Sequence, residues 1–275
     1  MLIHAPAKLN LCLYLGGSRP DGRHELCSLF CPIGLADLIE VSEAERDEVI
    51  CGDLDGDNLA ARALAALRAQ GWERPPLRIE ISKRIPVAAG LGGASADAAA
   101  VLGLARGEVS DLEEVAFELG ADVPSQLPPS FALVGGAGER VERLPDPARH
   151  SILLLPRGGL PTADVFAEAD RLGLGRSAEE LEALRSRLRQ AAGAGDSPLR
   201  YRDLLVNDLE PAATSLRPEI AADLEALREV GAAAALLSGS GPTVFGVFAD
   251  LPAARRGAER IRSEDAIVCD AGRLP

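Results

Sequence analysis

This 275-residue chain is expected to fold as α+β, on three observations. Short segments of strict apolar alternation, the mark of strands, stand at residues 7–15 and 77–82. Helical stretches rich in Ala, Leu and Arg lie between and after them. The order strand, helices, paired strands, helix, strand in the second half suits an α+β layer better than a doubly wound parallel sheet. The length accommodates two modest cores, and the character changes near Pro145–His150, so two domains are expected, residues 1–150 and 151–275.

In chain order, residues 7–15 place Leu9, Leu11, Leu13 and Leu15 on one face of a strand and Lys8, Asn10, Cys12 and Tyr14 on the other. Pro20-Asp21-Gly22 is a turn leading to Arg23-His24. Asn58–Ala69 reads as a helix closed by Gly71. Leu77, Ile79 and Ile81 alternate with Arg78, Glu80 and Ser82, giving a strand that runs through Lys83 towards a cluster of glycines. Ala94–Ala105 is helical, and a further helix opens at Ser110, whose spacing to Glu113 is that of a capping box, and stops at Gly120. In the second half, Ser151–Leu155 is a strand. Helices follow at Ser177–Ala192, with a Ser177/Glu180 capping box, and at Pro218–Val230, with Gly231 at its end. Ala233–Leu237 and Thr243–Ala249 are strands joined by Ser238-Gly239-Ser240-Gly241-Pro242, before a helix at 252–262 and a strand at 267–270.

Composition narrows the function. A formal charge of −13 argues against nucleic acid or an anionic membrane as partner, because both demand a basic face. No apolar run is long enough to span a bilayer and the N-terminus lacks a secretory pattern, so a cytoplasmic protein is expected. The five cysteines lack the density of a disulfide framework, and the Cys27/Cys31 pair has no second pair at zinc-ligand spacing; buried free thiols are the better reading. Of 29 basic residues only Lys8 and Lys83 are lysine, and a compact ammonium suits a place among phosphate oxygens that a guanidinium does not.

Three motifs carry chemistry. Pro86-Val87-Ala88-Ala89-Gly90-Leu91-Gly92-Gly93-Ala94-Ser95 lies between a strand and a helix, where glycines admit a bulky anion and free N–H groups at the helix start supply donors. It lacks the Lys of a P-loop and only approximates a dinucleotide fingerprint, so its spacing says phosphate binding and no more. Gly120-Ala121-Asp122-Val123-Pro124 holds a carboxylate on a stiff turn, suited either to general-base work or to ordering its own turn. Ser238–Pro242 is either a plain hairpin or a second glycine-rich loop over phosphates. His24 is either a surface turn residue or a ligand contact beside the strand of Lys8 and Asn10.

Together the pieces resemble the GHMP small-molecule kinases, through Pro6-Ala7-Lys8, the segment Pro86 to Ala98, and Leu237–Gly241, in that order along nearly the whole chain. Finer matches, Arg19-Pro20-Asp21-Gly22-Arg23-His24, Asp57-Asn58-Leu59, Gly120–Pro124 and Asn207–Pro211, resemble the members that act on a CDP-linked methylerythritol in non-mevalonate isoprenoid synthesis. The resemblance implies a two-domain fold with its active site in a cleft between the domains. It also implies transfer of the ATP γ-phosphoryl to the 2-hydroxyl of that cytidine diphosphate-linked polyol, with Mg²⁺ brought by ATP. It assigns Asp122 as base and Lys8 as its charge-stabilising partner. ATP would be held by Asn58, Leu59, Lys83 and the loop from Pro86 to Ala96, and the substrate by Asn10, Arg23, His24, Phe166, Gly239, Ser240 and Gly241. The chain departs from the pattern at Arg23, where an aromatic residue is usual, at Ala88-Ala89, where glycines are frequent, and at Asp97, where Asn is common. A homoserine or mevalonate kinase, or a nucleotide-binding protein without turnover, is the alternative. The sequence sets no expectation for metal ligands or oligomeric state.

Overall fold

Two long strands, β1 (Leu2–Ser18) and β2 (His24–Glu43), pair with each other and contribute residues to both of the compact units into which the chain divides. The structure, a computed structural model, describes residues 1–52 and 58–272; Asp57 of the Asp57-Asn58-Leu59 segment lies outside the described residues. One unit comprises Met1–Ala7, Leu35–Pro86 and Gly92–Pro129, and the other Lys8–Gly34, Val87–Leu91 and the chain from Ser130 onward. The elements are mixed α and β, as the sequence predicts.

In the first unit the later part of β2 pairs antiparallel with β4 (Leu77–Ser82), matching Ile39 to Ile81 and Val41 to Ile79, and β3 (Glu48–Ile50) runs parallel to β4. Helices α1 (Leu59–Ala69), α2 (Gly93–Gly103) and α3 (Leu112–Leu119) complete it. Asn58 caps α1, its Oδ1 accepting from Ala60 N at 2.9 Å, which satisfies a donor the first turn would otherwise leave open. Ala60 and Ala63 of α1 and Ala96, Ala98 and Ala99 of α2 are all buried; such small side chains let the two helices approach closely. Leu64, Leu67, Trp72, Ile79, Ile81, Val101 and Leu102 fill the core of this unit. The capping box expected at Ser110 is absent: Asp111 holds the N-cap in a left-handed conformation (φ 55°) with no side-chain cap, and this backbone reversal takes Ser110 out of reach of the first turn. Glu113 and Glu114 still complement the helix dipole there.

In the second unit the earlier part of β2 pairs with β5 (Ala132–Gly136), which pairs with β6 (Arg140–Arg143). Strands β7 (His150–Leu155), β8 (Ala234–Leu237), β9 (Val244–Phe248) and β10 (Ile267–Ala271) run antiparallel in the order β10-β7-β9-β8. Around them stand α4 (Thr162–Leu172), α5 (Ala178–Ala192), a 3₁₀ segment (Pro198–Leu204), α6 (Glu210–Leu216), α7 (Glu219–Glu229) and α8 (Leu251–Ile261). The Ser177/Glu180 capping box forms as expected. Helices α4 and α6 escape the sequence pattern because α4 buries only Val165 and Ala169 and α6 is only seven residues long.

The alternation in β1 correctly signals a strand, but both of its faces are buried: Lys8 is 5% exposed, Asn10 2% and Tyr14 2%. The polar face is satisfied internally. Tyr14 OH donates to Leu204 O at 2.8 Å, and Leu13 exchanges backbone hydrogen bonds with Val206 and Asp208. Asp208 accepts Leu15 N at 3.0 Å and clasps Arg176 through two bonds of 2.6 and 2.7 Å, while the Arg176 guanidinium lies 5.1 Å from the Tyr14 ring centre. No helix among the described residues is long and apolar enough to cross a membrane.

Leu67, fully buried in the core around α1, supplies the sharpest test of this packing. Leu67→Ala should cost about 2–5 kcal/mol, read as a lower denaturant midpoint with an unchanged m-value.

Candidate functional site

In the second unit, β1 carries Lys8 and Asn10 two residues apart on one face. Lys8 Nζ donates to Asn10 Oδ1 at 2.8 Å, Asn10 Nδ2 donates to Ser28 Oγ of β2 at 2.9 Å, and Ser28 Oγ donates to Cys12 O. The chain of bonds assigns each polar atom a single role and orients the ammonium, which also lies 4.7 Å from the centre of the Phe30 ring. Residues Val87–Leu91 of the first glycine-rich loop belong to the same unit and are tied to β1 by Lys8 N, which donates to Leu91 O at 3.0 Å.

The second glycine-rich loop lies against the first. Ser238 Oγ donates to Gly90 O at 3.1 Å. A Cβ on Gly90 would stand 2.7 Å from Gly241 O and 2.9 Å from Ser238 O, so at φ +74° only glycine fits. A Cβ on Gly239 would meet Asn10 Oδ1 at 3.1 Å and come within 3.8 Å of Lys8 Nζ. The loop is braced by Asn207, whose Nδ2 donates to Leu237 O and Gly239 O, both at 2.8 Å, and by a 2.9 Å hydroxyl pair between Thr162 and Ser240. The structure therefore gathers Lys8, Asn10, Gly90, Leu91, Gly239, Ser240 and Gly241 from segments far apart in sequence. Asn207 stands in a quoted motif, yet sequence reasoning gave it no role, because an amide that bonds two carbonyls 30 and 32 residues away has no local pattern.

A second grouping in this unit is His24 at the start of β2 and Phe166 on α4. Their ring centres are 5.1 Å apart and the planes are inclined by 38°. His24 Nε2 pairs with Asp170 Oδ1 at 2.8 Å, a partner the sequence does not announce, and lies 3.1 Å from Ser18 Oγ. Arg23 is exposed, with its backbone N–H donating to Asp21 Oδ1 in the expected turn.

The first unit holds the rest. Gly92, left-handed at φ 70°, opens α2, so the N–H groups of Gly93, Ala94 and Ser95 form its first turn. In the preceding stretch, which belongs to the second unit, Ala88 is also left-handed (φ 54°) and Val87 is exposed. Lys83 Nζ donates to Asp97 Oδ2 of α2 at 2.7 Å and to Asp37 Oδ2 of β2. Asp37 Oδ1 accepts from Arg84 N and Ile85 N, fixing the exit from β4. Burial works against the charge on Lys83, but the hydrogen bonds to Asp37 and Asp97 outweigh it and hold the ammonium above its ordinary pKa. Burial pushes Asp97 up to about 6 against the pull of Lys83, and the neighbouring Asp37 adds to the rise. Asp37 is the residue here that sequence reasoning missed; β2 carries several other polar residues, so nothing in its local pattern marks this one. Asn58 and Leu59 stand at the start of α1. Asp122 sits half-buried in the turn after α3, which is closed by Val123 N to Gly120 O (3.1 Å) and by Ser125 Oγ to Asp122 O (2.8 Å).

The five thiols are free, and burial raises the pKa of those at Cys27 and Cys31 to about 11 and about 12, so both stay neutral at physiological pH. Among the described residues, no group of three or more His, Cys, Asp or Glu could hold a metal ion.

Comparison with known proteins matches residues 58–130 to the GHMP kinases N terminal domain and residues 181–266 to the GHMP kinases C terminal model. The 4-diphosphocytidyl-2-C-methyl-D-erythritol kinase of Streptomyces avermitilis is 40% identical over 258 residues, covering 88% of this chain and 85% of the relative. That of Pelotomaculum thermopropionicum is 40% identical over 275 residues, covering 95% and 93%. The crystal structure of a 4-(cytidine 5′-diphospho)-2C-methyl-D-erythritol kinase superposes with a TM-score of 0.81 at 35% identity, covering 99% of this chain and 100% of that one.

The contact between the two glycine loops makes a separable prediction. Gly90→Ala combines a positive φ with a backbone clash, and should cost about 2–4 kcal/mol. Gly22→Ala, at φ +79° but with nothing within 4 Å of its Cβ, should cost only about 1 kcal/mol. Thermal unfolding of the two variants side by side reads the difference.

Proposed function

Because this chain belongs to the GHMP kinase family, we propose that it transfers the γ-phosphoryl group of ATP to the 2-hydroxyl of 4-diphosphocytidyl-2-C-methyl-D-erythritol, releasing ADP. It is an ATP-dependent small-molecule kinase. The observation that carries the substrate is the 40% identity, over 88–95% of the chain, to relatives bearing that substrate in their name. A homoserine- or mevalonate-type activity has no observation of comparable weight in its favour.

Phosphoryl transfer asks a protein for positioning and charge stabilisation more than for covalent chemistry. In this reading the backbone N–H groups of the Gly90–Ser95 loop and of the first turn of α2 cradle the phosphates, with Asn58, Leu59 and Lys83 on the nucleoside side. Asp122 accepts the proton of the attacking hydroxyl. Lys8, its ammonium held in one orientation by Asn10 and Phe30, stabilises the charge that develops during transfer. Gly239, Ser240 and Gly241 bring a second set of backbone groups towards the substrate. Mg²⁺, when bound, neutralises phosphate charge. Its ligands would be chiefly the phosphate oxygens, since Asp37 and Asp97 beside the loop are already engaged by Lys83.

His24 and Phe166 are the proposed cytosine contacts. In the neutral tautomer that donates Nε2–H to Asp170, His24 presents Nδ1 as an acceptor that matches the exocyclic amino group of cytosine, and Phe166 offers an apolar face. Arg23, in the position of a usual aromatic residue, can stack its guanidinium on the base.

Two measurements test this. An ADP-release assay with the CDP-linked polyol, mevalonate and homoserine as separate substrates should show turnover with the first alone, and CMP or CDP should protect the protein against thermal unfolding; absence of such protection removes the cytidine assignment. Asp122→Asn should retain ATP binding and lose about 10²–10⁴-fold in kcat. A variant with normal turnover would refute the base.

A further inference from the structure

The cluster beside the phosphate loop in the first unit contains one more negative charge than positive. Among the described residues, Lys83 alone is paired with two carboxylates there, Asp37, fully buried, and Asp97, 3% exposed. Asp37 is satisfied at both oxygens, with Arg84 N and Ile85 N on Oδ1 and Lys83 on Oδ2. Asp97 Oδ2 takes Lys83 as well, but Asp97 Oδ1 is buried with no hydrogen-bond partner among the described residues. A buried carboxylate oxygen without a donor is costly, and a net charge in such a place more so. Among the described residues, Cys51, half-buried just past β3, also feels all three charges; burial raises its thiol pKa, so it stays neutral and cannot offset them. A proton on Asp97 removes the excess charge and supplies a donor that Asp37 can accept.

The cluster also abuts the loop. Asp97 follows Gly93 by one turn on the same face of α2, and a Cβ on Gly93 would lie 3.3 Å from Lys83 Nζ. Phosphates bound on the first turn of α2 therefore add negative charge close to a buried site that already carries an excess of it.

We propose that Asp97 takes up a proton when the phosphates of a nucleotide occupy the Gly90–Ser95 loop, so that nucleotide binding and protonation of this carboxylate form one coupled event. The inference rests on the nucleotide-binding reading of that loop. Asp97 acts here as a positioning residue: once protonated it leaves Asp37 as the sole counter-charge of Lys83, and the ammonium then faces the incoming phosphates with less of its field cancelled. Burial alone already lifts this carboxyl towards neutrality, so a modest further rise places the proton at physiological pH. The sign follows from linkage. The complex holds the proton more tightly than the free protein, so affinity is highest below the free protein's pKa. It then falls as pH rises, by up to about tenfold per pH unit.

Calorimetric titration of the full chain with Mg·ATP at near-neutral pH, in buffers of different ionisation enthalpy, counts the protons exchanged. Wild type should take up to about one proton per nucleotide, whereas Asp97→Asn, of the same shape but unable to titrate, should bind with no such uptake and with an affinity that is flat in pH. Protons exchanged by the nucleotide itself appear in both proteins and cancel. Equal uptake in the two proteins, or none in wild type despite binding, overturns the proposal. Absence of binding by wild type overturns the nucleotide site itself and this coupling with it. If Asp97→Asn does not fold, ¹³C-carboxyl titration of wild type decides. The resonance of a buried aspartate should move to the protonated position on adding nucleotide, and an unmoved carboxyl spectrum refutes the idea.

Discussion

The second unit turns on the approach of one peptide backbone to another. Gly90 meets the carbonyls of Ser238 and Gly241 with no room for a Cβ, and the same short stretch is tied to β1 through Leu91 and Lys8. Backbone bare of side chains lets a bound anion come close to N–H donors, which are what a polyanion needs around it. They can come together only where glycine tolerates positive φ at 90, 239 and 241, and where other groups absorb the leftover polarity: Ser238 Oγ on Gly90 O, and Asn207 Nδ2 on two carbonyls. The loops are therefore rigid because they are hydrogen-bonded, although their composition reads as flexible.

Lys8 is buried beside those loops and Lys83 is half-buried beside the first turn of α2, and each is held differently. Lys8 is oriented by a neutral amide and an aromatic ring, through a line of bonds that runs from Asn10 to Ser28 to Cys12. Lys83 is clamped between two carboxylates that also secure the exit of β4 and the first turns of α2. Removing one partner from such a buried pair leaves charge without compensation, usually at a cost of about 3–5 kcal/mol. In a chain of formal charge −13, these two positions show how cationic groups are kept where phosphate chemistry would need them without a basic surface.

Family membership joins these local features to a reaction, and the relatives cover nearly the whole chain, so the comparison concerns the complete set of motifs rather than one loop. The departures from the family pattern then become informative. Arg23 replaces an aromatic side chain beside His24, whose other neighbour, Phe166, is present. Asp97, where Asn is common, introduces a carboxylate into a buried cluster that would otherwise be balanced, and the structure gives it one oxygen with no donor among the described residues.

What the sequence by itself determined was whatever is written in local period and in residue type. The alternation of β1 and β4, the capping box of α5, the glycine stops of α1 and α7, and the glycine-rich loop opening α2 are all short-range, because a helix or strand registers burial every few residues. Lys8, Asp122 and the two glycine loops could be singled out for the same reason: each is an unusual residue in a constrained local setting. Tertiary structure decided the rest. It buried both faces of β1, placed left-handed Asp111 where Ser110 was expected to cap, and set Asn207 under the second loop. It also brought Asp170 to His24 and Asp37 to Lys83. These partners come from segments up to 146 residues of chain apart, and a hydrogen bond across such a distance leaves no periodicity behind. Lys8 and the glycine loop could be seen in one dimension; what holds them is visible only in three.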